Sequence, residues 1–217
     1  MVYKEYYPIG LDIRNKNCLV IGGGNVGTRK VLRLLEFKAK VTVISPIISP
    51  SLEKLHKENK IIWIKREYNI EDIKLSNYFL IFAATDNEKT NSKIAFLSKK
   101  NNKIINVSNP SKESNFILPA LYKNNCLMIS IFTSGIAPGV SKFIKDEIKK
   151  IYGERYLKLI NIFRYIRKRL YKEINDPKIR EKLLKSVDLT SIMFDINNNK
   201  EKKPNYYYSL IFKRREK

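Results

Sequence analysis

The sequence predicts an α/β fold in which a parallel sheet flanked by helices is followed by a strand pair and a helical C-terminal region. Three observations carry this. Between residues 17 and 106, short β-rich apolar runs alternate with longer segments of helical period. A glycine-rich turn directly follows the first run. Beyond residue 112 the rhythm changes, and the chain of 217 residues is long enough for one large or two small domains.

The expected strands are Cys18-Leu19-Val20-Ile21, Val41-Thr42-Val43-Ile44, Ile61-Ile62-Trp63-Ile64, Tyr78-Phe79-Leu80-Ile81-Phe82 and Ile104-Ile105. The helix after the first strand shows an apolar face of Val26, Val31, Leu34 and Leu35. After the second, Ser49-Pro50 supplies an N-cap with Pro at the first helical position. After the fourth, Thr85-Asp86 can cap a helix carrying Ile94, Ala95 and Leu97. Phe116 to Leu121 and Cys126 to Ile131 flank Lys123-Asn124-Asn125 and read as two strands joined by a turn. A long helix starts at Pro138, residues 154 to 190 are helical and basic, and Asn197 to Pro204 reads as an exposed loop. Tyr206 to Phe212 fits a late strand or a docked helix equally well.

Apolar residues make up 43% and aromatics 11%, so the chain folds rather than staying disordered. Lys plus Arg number 43 against 21 Asp plus Glu, a net charge of +22. Part of that excess is what AT-biased coding rich in Lys, Asn and Ile produces. The rest favours an anionic ligand: nucleic acid, a membrane surface or a polycarboxylate. Cys18 and Cys126, each inside an apolar run, are expected to be buried reduced thiols, which leaves neither a disulfide framework nor a Cys-rich zinc site. The start Met1-Val2-Tyr3-Lys4-Glu5 lacks the pattern of a secretory leader, and no apolar window of membrane-spanning length occurs, so a cytoplasmic protein is expected.

Gly22-Gly23-Gly24-Asn25-Val26-Gly27 holds the spacing G-x-G-x-x-G between an apolar strand and an amphipathic helix. Gly22 permits the tight turn, Gly24 lets backbone approach a pyrophosphate, and Gly27 lets the helix pack on the strand. The open N–H groups and positive dipole end of that helix then face phosphate. This reads as a Rossmann-like dinucleotide site, the other reading being a glycine-rich turn with no ligand. The acid expected about twenty residues later, for the adenosine ribose, is replaced by Ser45-Pro46, with no Arg beside it, so these residues leave NAD and NADP open.

The residues Gly22 to Lys30, Ser45-Pro46, Ala83-Ala84-Thr85-Asp86, Asn106-Val107, Phe116-Ile117-Leu118-Pro119 and Thr133-Ser134-Gly135-Ile136-Ala137-Pro138 together resemble the siroheme-synthase family. The likeness is to its precorrin-2 dehydrogenase/sirohydrochlorin ferrochelatase module and runs from about residue 5 to 150. It implies NAD-dependent oxidation of precorrin-2 to sirohydrochlorin, in some members with iron insertion, in a homodimer. The division it implies is an NAD-binding domain over 1–112, a central dimerisation and active-site segment over 113–150, and a C-terminal helical domain over 151–217. From its length the chain is expected to lack the methyltransferase domain fused to the module in some members.

The family's cofactor contacts map to Asn25 and Val26 in the turn and to Pro46 and Ile47 beside Ser45. Thr85 and Asp86 stand where a nucleotide in a doubly wound sheet would pass. The family uses NAD without the ribose acid, which makes NAD the expected cofactor. Its proposed general base and chelatase residue, an aspartate, maps to Asn109, which cannot take a proton at neutral pH; the nearest carboxylate is Glu113. Asn109 also suits a plain turn before Pro110. Precorrin-2 carries acetate and propionate carboxylates, so Thr133, Ser134, Gly135 and Ser141, around the helix start at Pro138, are expected to bind it. The same stretch also reads as an ordinary loop-to-helix turn. Arg164, Arg167, Lys168 and Arg169 read as a solvated helix face or as further carboxylate contacts. The one histidine, His56, lies on a solvated helix and is not expected to hold metal; no metal site is expected, nor a nucleic-acid or membrane partner. Two other functions stay open: a non-catalytic NAD-sensing domain with a basic helical arm, and a dehydrogenase for another small polycarboxylate.

Overall fold

The structure is a computed structural model and describes residues 4–74 and 77–213. Met1 to Tyr3, part of the start expected to be free of a leader, and residues 214–217, the end of the expected helical domain, lie outside the described residues. The chain divides into two compact units, Met1–Leu118 and Pro119–Lys217.

The first unit runs β1 (Asn17–Gly23), α1 (Asn25–Glu36), β2 (Lys40–Ile48), α2 (Pro50–Lys57), β3 (Ile61–Ile64), α3 (Glu71–Lys74), β4 (Leu80–Ala83), α4 (Glu88–Lys100) and β5 (Ile104–Val107). The strands form one parallel sheet in the order β3-β2-β1-β4-β5. The order reverses between β1 and β4, which is where ligands of such sheets bind. Because β1 is central, both its faces are covered: Cys18 and Val20 pack with Val31, Leu34 and Leu52, while Leu19 and Ile21 pack with Ile81, Ile94 and Ile105. Each such side chain contributes about 1.5–3 kcal/mol when fully buried. Burial pushes the Cys18 thiol up to about 11, so it stays a protonated core residue.

Several boundaries differ from the expected ones, β4 starting at Leu80 rather than Tyr78 and β5 running on to Val107, and two have a local reason each. Strand β2 continues through Ser45 to Ile48, where Ile48 pairs with Gly23. The cap of α4 is Asn87, whose Oδ1 accepts from Thr90 N at 2.9 Å, rather than Thr85-Asp86. Thr85 is occupied elsewhere, by a buried asparagine of the same helix. Ser49 caps α2 as expected, its Oγ accepting from Leu52 N.

Lys30 on α1 is partly buried over the Phe82 ring, 5.7 Å from its centroid, with its Nζ donating to Asn106 Oδ1 at 2.9 Å. Asn106 in turn donates from Nδ2 to Phe116 O at 3.0 Å. Burial, with nearby Arg29, holds the Lys30 pKa below its ordinary value of 10.5. The unfolded chain therefore keeps this proton to a higher pH than the native one, so its contribution to stability rises as pH climbs towards 10.5. Urea midpoints measured across the alkaline range should rise less steeply in Lys30→Met than in the native chain; equal slopes would remove Lys30 as the cause.

In the second unit β6 (Ala120–Asn124) and β7 (Leu127–Ile131) form an antiparallel pair, with Tyr122 opposite Ile129 and Lys123 opposite Met128. The turn is made by Asn125, whose φ of 53° suits asparagine. Phe116 to Leu118 is not strand; Phe116 packs edge-on against Phe82 in the first unit and the strand begins only after Pro119. Cys126 proves exposed rather than buried, because it stands in this turn. Five helices follow: α5 (Pro138–Ile151), α6 (Glu154–Glu173), α7 (Pro177–Lys185), α8 (Leu189–Asn197) and α9 (Pro204–Lys213). The Tyr-rich segment is thus helical, and Tyr207, Tyr208 and Ile211 join Ile162, Ile166, Leu170, Leu183, Ile192 and Ile196 in one core. No helix among the described residues is long and apolar enough to cross a membrane.

Candidate active site

Four glycines in the turn after β1 have different tasks. Gly22 has φ +110°, and a Cβ there would lie 2.3 Å from Ala84 O. A Cβ on Gly27 would lie 2.1 Å from Gly22 O, and one on Gly23 would lie 2.4 Å from Ile47 O. These three are closed in by backbone. Gly24 alone has nothing within 4 Å of an added Cβ. It is also the N-cap of α1 and brings no side chain to cap it, which leaves first-turn N–H groups for an anion. The approach to these N–H groups at Gly24 is therefore open to an anion such as a diphosphate.

The turn is tied to the tail of β2. Thr28 Oγ1 and the Ser49 hydroxyl lie 2.8 Å apart, and Ser49 N donates to Gly23 O at 2.9 Å. Ser45 is buried and turned inward, its Oγ donating to Ile47 O at 2.6 Å, while its carbonyl accepts from Trp63 Nε1 at 2.9 Å. Pro46 and Ile47 stand out from this tail, Ile47 at 78% exposure, as an apolar lip with no carboxylate where a ribose acid would be.

At the ends of β4 and β5 the organising residue is Asn91 of α4, which the sequence reading missed. It is buried; its Oδ1 accepts from Thr85 Oγ1 at 2.7 Å and from Thr85 N at 3.2 Å. Its Nδ2 donates to Thr85 O and to Asn109 O, both at 3.0 Å. The signal was present: Asn91 opens the stripe Asn91, Ile94, Ala95, Ser98, a large polar side chain placed on the buried face of a helix. Asp86 is exposed, as is Asn109, whose peptide bond to Pro110 is cis. Glu113, on a short 3-10 helix, accepts from Ser92 Oγ at 3.1 Å through Oε1. The first unit thus brings Gly22, Gly24, Asn25, Val26, Gly27, Thr85 and Asn109 to the C-terminal ends of neighbouring strands. Ser45 is part of the scaffold beneath its own lip.

In the second unit the Thr133 and Ser141 hydroxyls meet at 2.8 Å, and both lean on Ala137 O, at 3.2 and 3.4 Å. Ser134 and Gly135 both have positive φ, 51° and 78°, and turn the chain into α5, where Pro138 is the first residue and no side chain caps the helix. His56 is exposed on α2, edge-on to Trp63. Among the described residues no three His, Cys, Asp or Glu side chains gather as a metal site.

A family model described as "Putative NAD(P)-binding" matches residues 9–120, more than half of the chain. Siroheme synthase of Ruthia magnifica is 34% identical over 158 residues, which are 73% of this chain and 33% of that protein. That of Actinobacillus succinogenes is 31% identical over 147 residues, 68% of this chain and 30% of the relative. That of Buchnera aphidicola is 30% identical over 204 residues, 91% of this chain and 41% of the relative. The chain spans about a third of the length of the first two. Among solved structures, SirC, precorrin-2 dehydrogenase, superposes with a TM-score of 0.78 at 23% identity, covering 96% of this chain and 100% of that one, a likeness of fold.

Proposed function

The chain belongs to the NAD(P)-binding family whose model it matches, and from that premise we propose that it is a precorrin-2 dehydrogenase, oxidising precorrin-2 to sirohydrochlorin with NAD in siroheme synthesis. The observation that carries this is Gly24, the one open glycine in a turn otherwise closed by backbone, at the switch point of a sheet whose sequence relatives are siroheme synthases. The shared fold with SirC supports it.

When bound, NAD supplies the hydride acceptor. The chain's residues hold and orient. First-turn N–H groups of α1 take the diphosphate, the Pro46–Ile47 lip takes the adenosine, and the Asn91-braced ends of β4 and β5 bound the other half of the crevice. Oxidation breaks one C–H bond of precorrin-2, with the hydride going to the coenzyme and a proton leaving the macrocycle. Asn109 cannot accept that proton; Glu113 Oε1 is directed to Ser92 Oγ, away from the role of base in this reading, which assigns the proton to water. Thr133, Ser134, Gly135, Ser141 and the start of α5 are assigned to the substrate's carboxylates. The enzyme works as a homodimer in the cytoplasm; the dimer is supported by α5, in which only Ser141 is buried although the helix carries Val140, Phe143, Ile144 and Ile151.

Purified protein supplied with precorrin-2 and NAD should develop the NADH absorbance band together with the sirohydrochlorin spectrum. NAD binding without NADH formation would refute the dehydrogenase and leave a sensing domain. For metal insertion, Asn109→Asp restores a carboxylate at the family's position. It should raise Fe²⁺ or Co²⁺ insertion into sirohydrochlorin above the spontaneous rate and leave oxidation within about a factor of three. A large fall in oxidation would contradict proton release to water.

A further inference from the structure

Along α6 the buried stripe is Ile162, Ile166 and Leu170, while Arg164, Arg167, Lys168 and Tyr171 recur at i, i+3, i+4 and i+7 on an exposed face. These four line one shallow depression of about 250 Å³. Arg180, from α7, adds a second guanidinium to the Tyr171 ring: its carbon lies 4.6 Å from the ring centroid and that of Arg167 lies at 5.5 Å. Two of the cations are held in place by hydrogen bonds. Arg180 Nη1 donates to Ile174 O at 2.8 Å and Asn175 O at 3.0 Å, and Arg164 Nη2 to Cys126 Sγ at 3.3 Å.

Among the described residues no carboxylate lies within ion-pair distance of Arg164, Arg167, Lys168 or Arg180. Two cations of the same helices are paired, Arg169 with Glu173 and Lys185 with Glu181, both at 2.6 Å. Like charges three and four residues apart on a helix repel, and this face has no acid to offset them. Coding bias towards lysine does not explain it either. Only eleven of the 43 basic residues are arginine, and four of those eleven fall between residues 164 and 180. Arginine's planar fork matches carboxylate, and its face and stem stack on flat rings.

We propose that this depression docks a polycarboxylate tetrapyrrole, its macrocycle against Tyr171 and the arginine stems and its carboxylates on the guanidinium forks. The site is built wholly from the second unit and rests on the precorrin-2 assignment only for the ligand's identity. A nucleic-acid track would call for successive aromatic platforms along a groove, whereas this face has one ring flooring a single small depression.

The test uses the full chain and uroporphyrin, a stable tetrapyrrole with eight carboxylates, as the probe in calorimetric titration at moderate salt. The native chain should show a salt-sensitive uroporphyrin site that Arg164→Gln/Arg167→Gln weakens about tenfold or more, with NAD binding unchanged. Coproporphyrin, with half the carboxylates, should bind that site several-fold more weakly. Should the double variant lose NAD binding, the single variant Arg167→Gln provides the same comparison. Unchanged uroporphyrin affinity in the variants overturns the proposal, as does loss of single-stranded DNA retention with porphyrin binding intact. If the native chain oxidises no precorrin-2 yet shows the arginine-dependent porphyrin site, the dehydrogenase assignment fails and the docking site stands.

Discussion

Gly27→Ala is expected to destabilise the first unit by about 3 kcal/mol or more and to abolish NAD binding, whereas Gly24→Ala should weaken binding alone. The difference is geometric. A methyl on Gly27 would sit 2.1 Å from Gly22 O, and because the obstacle is backbone, α1 must lift away from β1. The same movement displaces the N–H groups that hold the diphosphate. Gly24 has φ −76° and ψ −167°, which any residue adopts, and open space around it, so alanine is accommodated by the free protein. Its methyl then occupies the approach of the pyrophosphate, and NAD affinity should fall on the order of 100-fold, about 2.7 kcal/mol. Urea unfolding and calorimetric titration of both variants separate the two effects. Native-like NAD affinity in Gly24→Ala would show that the diphosphate does not rest on this turn.

The same contrast shows what the sequence could convey. Strands β1, β2 and β3 were legible because apolar runs of this length in a parallel sheet are bounded by glycine, proline and capping residues, and Ser49 was legible as a cap for the same reason. The G-x-G-x-x-G spacing revealed the nucleotide turn but not Gly23, whose need arises from a strand far along the chain folding against it. Ser45 illustrates the converse. It sits at the position of a ribose ligand, yet its hydroxyl is spent on Ile47 O, a bond that exists only because β2 bends there. Asn91 is visible in sequence as a polar residue on an apolar face, but its four hydrogen bonds to Thr85 and Asn109 depend on the sheet order bringing the ends of β4 and β5 together. Cys126 was misplaced because an apolar run does not show where a turn interrupts it.

Phe143→Glu should convert the protein from dimer to monomer while leaving NAD affinity unaltered. Helix α5 begins at Pro138 and runs to Ile151 with an apolar stripe, yet its side chains stay uncovered within the chain: Phe143 is 65% exposed and Ile151 58%. Met128, near the start of β7, and Phe132, just after that strand, are exposed as well. Apolar residues gathered in this way mark an association surface rather than scattered surface hydrophobics. Facing a second copy, a buried aromatic anchor typically carries about 2 kcal/mol or more of the binding energy, about a 30-fold change in dissociation constant, and a buried unpaired glutamate adds its own desolvation cost. Because Gly22, Gly24 and Gly27 belong to the first unit, the nucleotide turn has no reason to change. Precorrin-2 oxidation should fall with dimer content, since Thr133, Ser134 and Gly135 lead into the same helix and Ser141 lies on it. Sedimentation velocity of native and variant protein at matched concentrations gives the answer; a native monomer, or a variant that dimerises as tightly as the native chain, would remove α5 as the subunit contact.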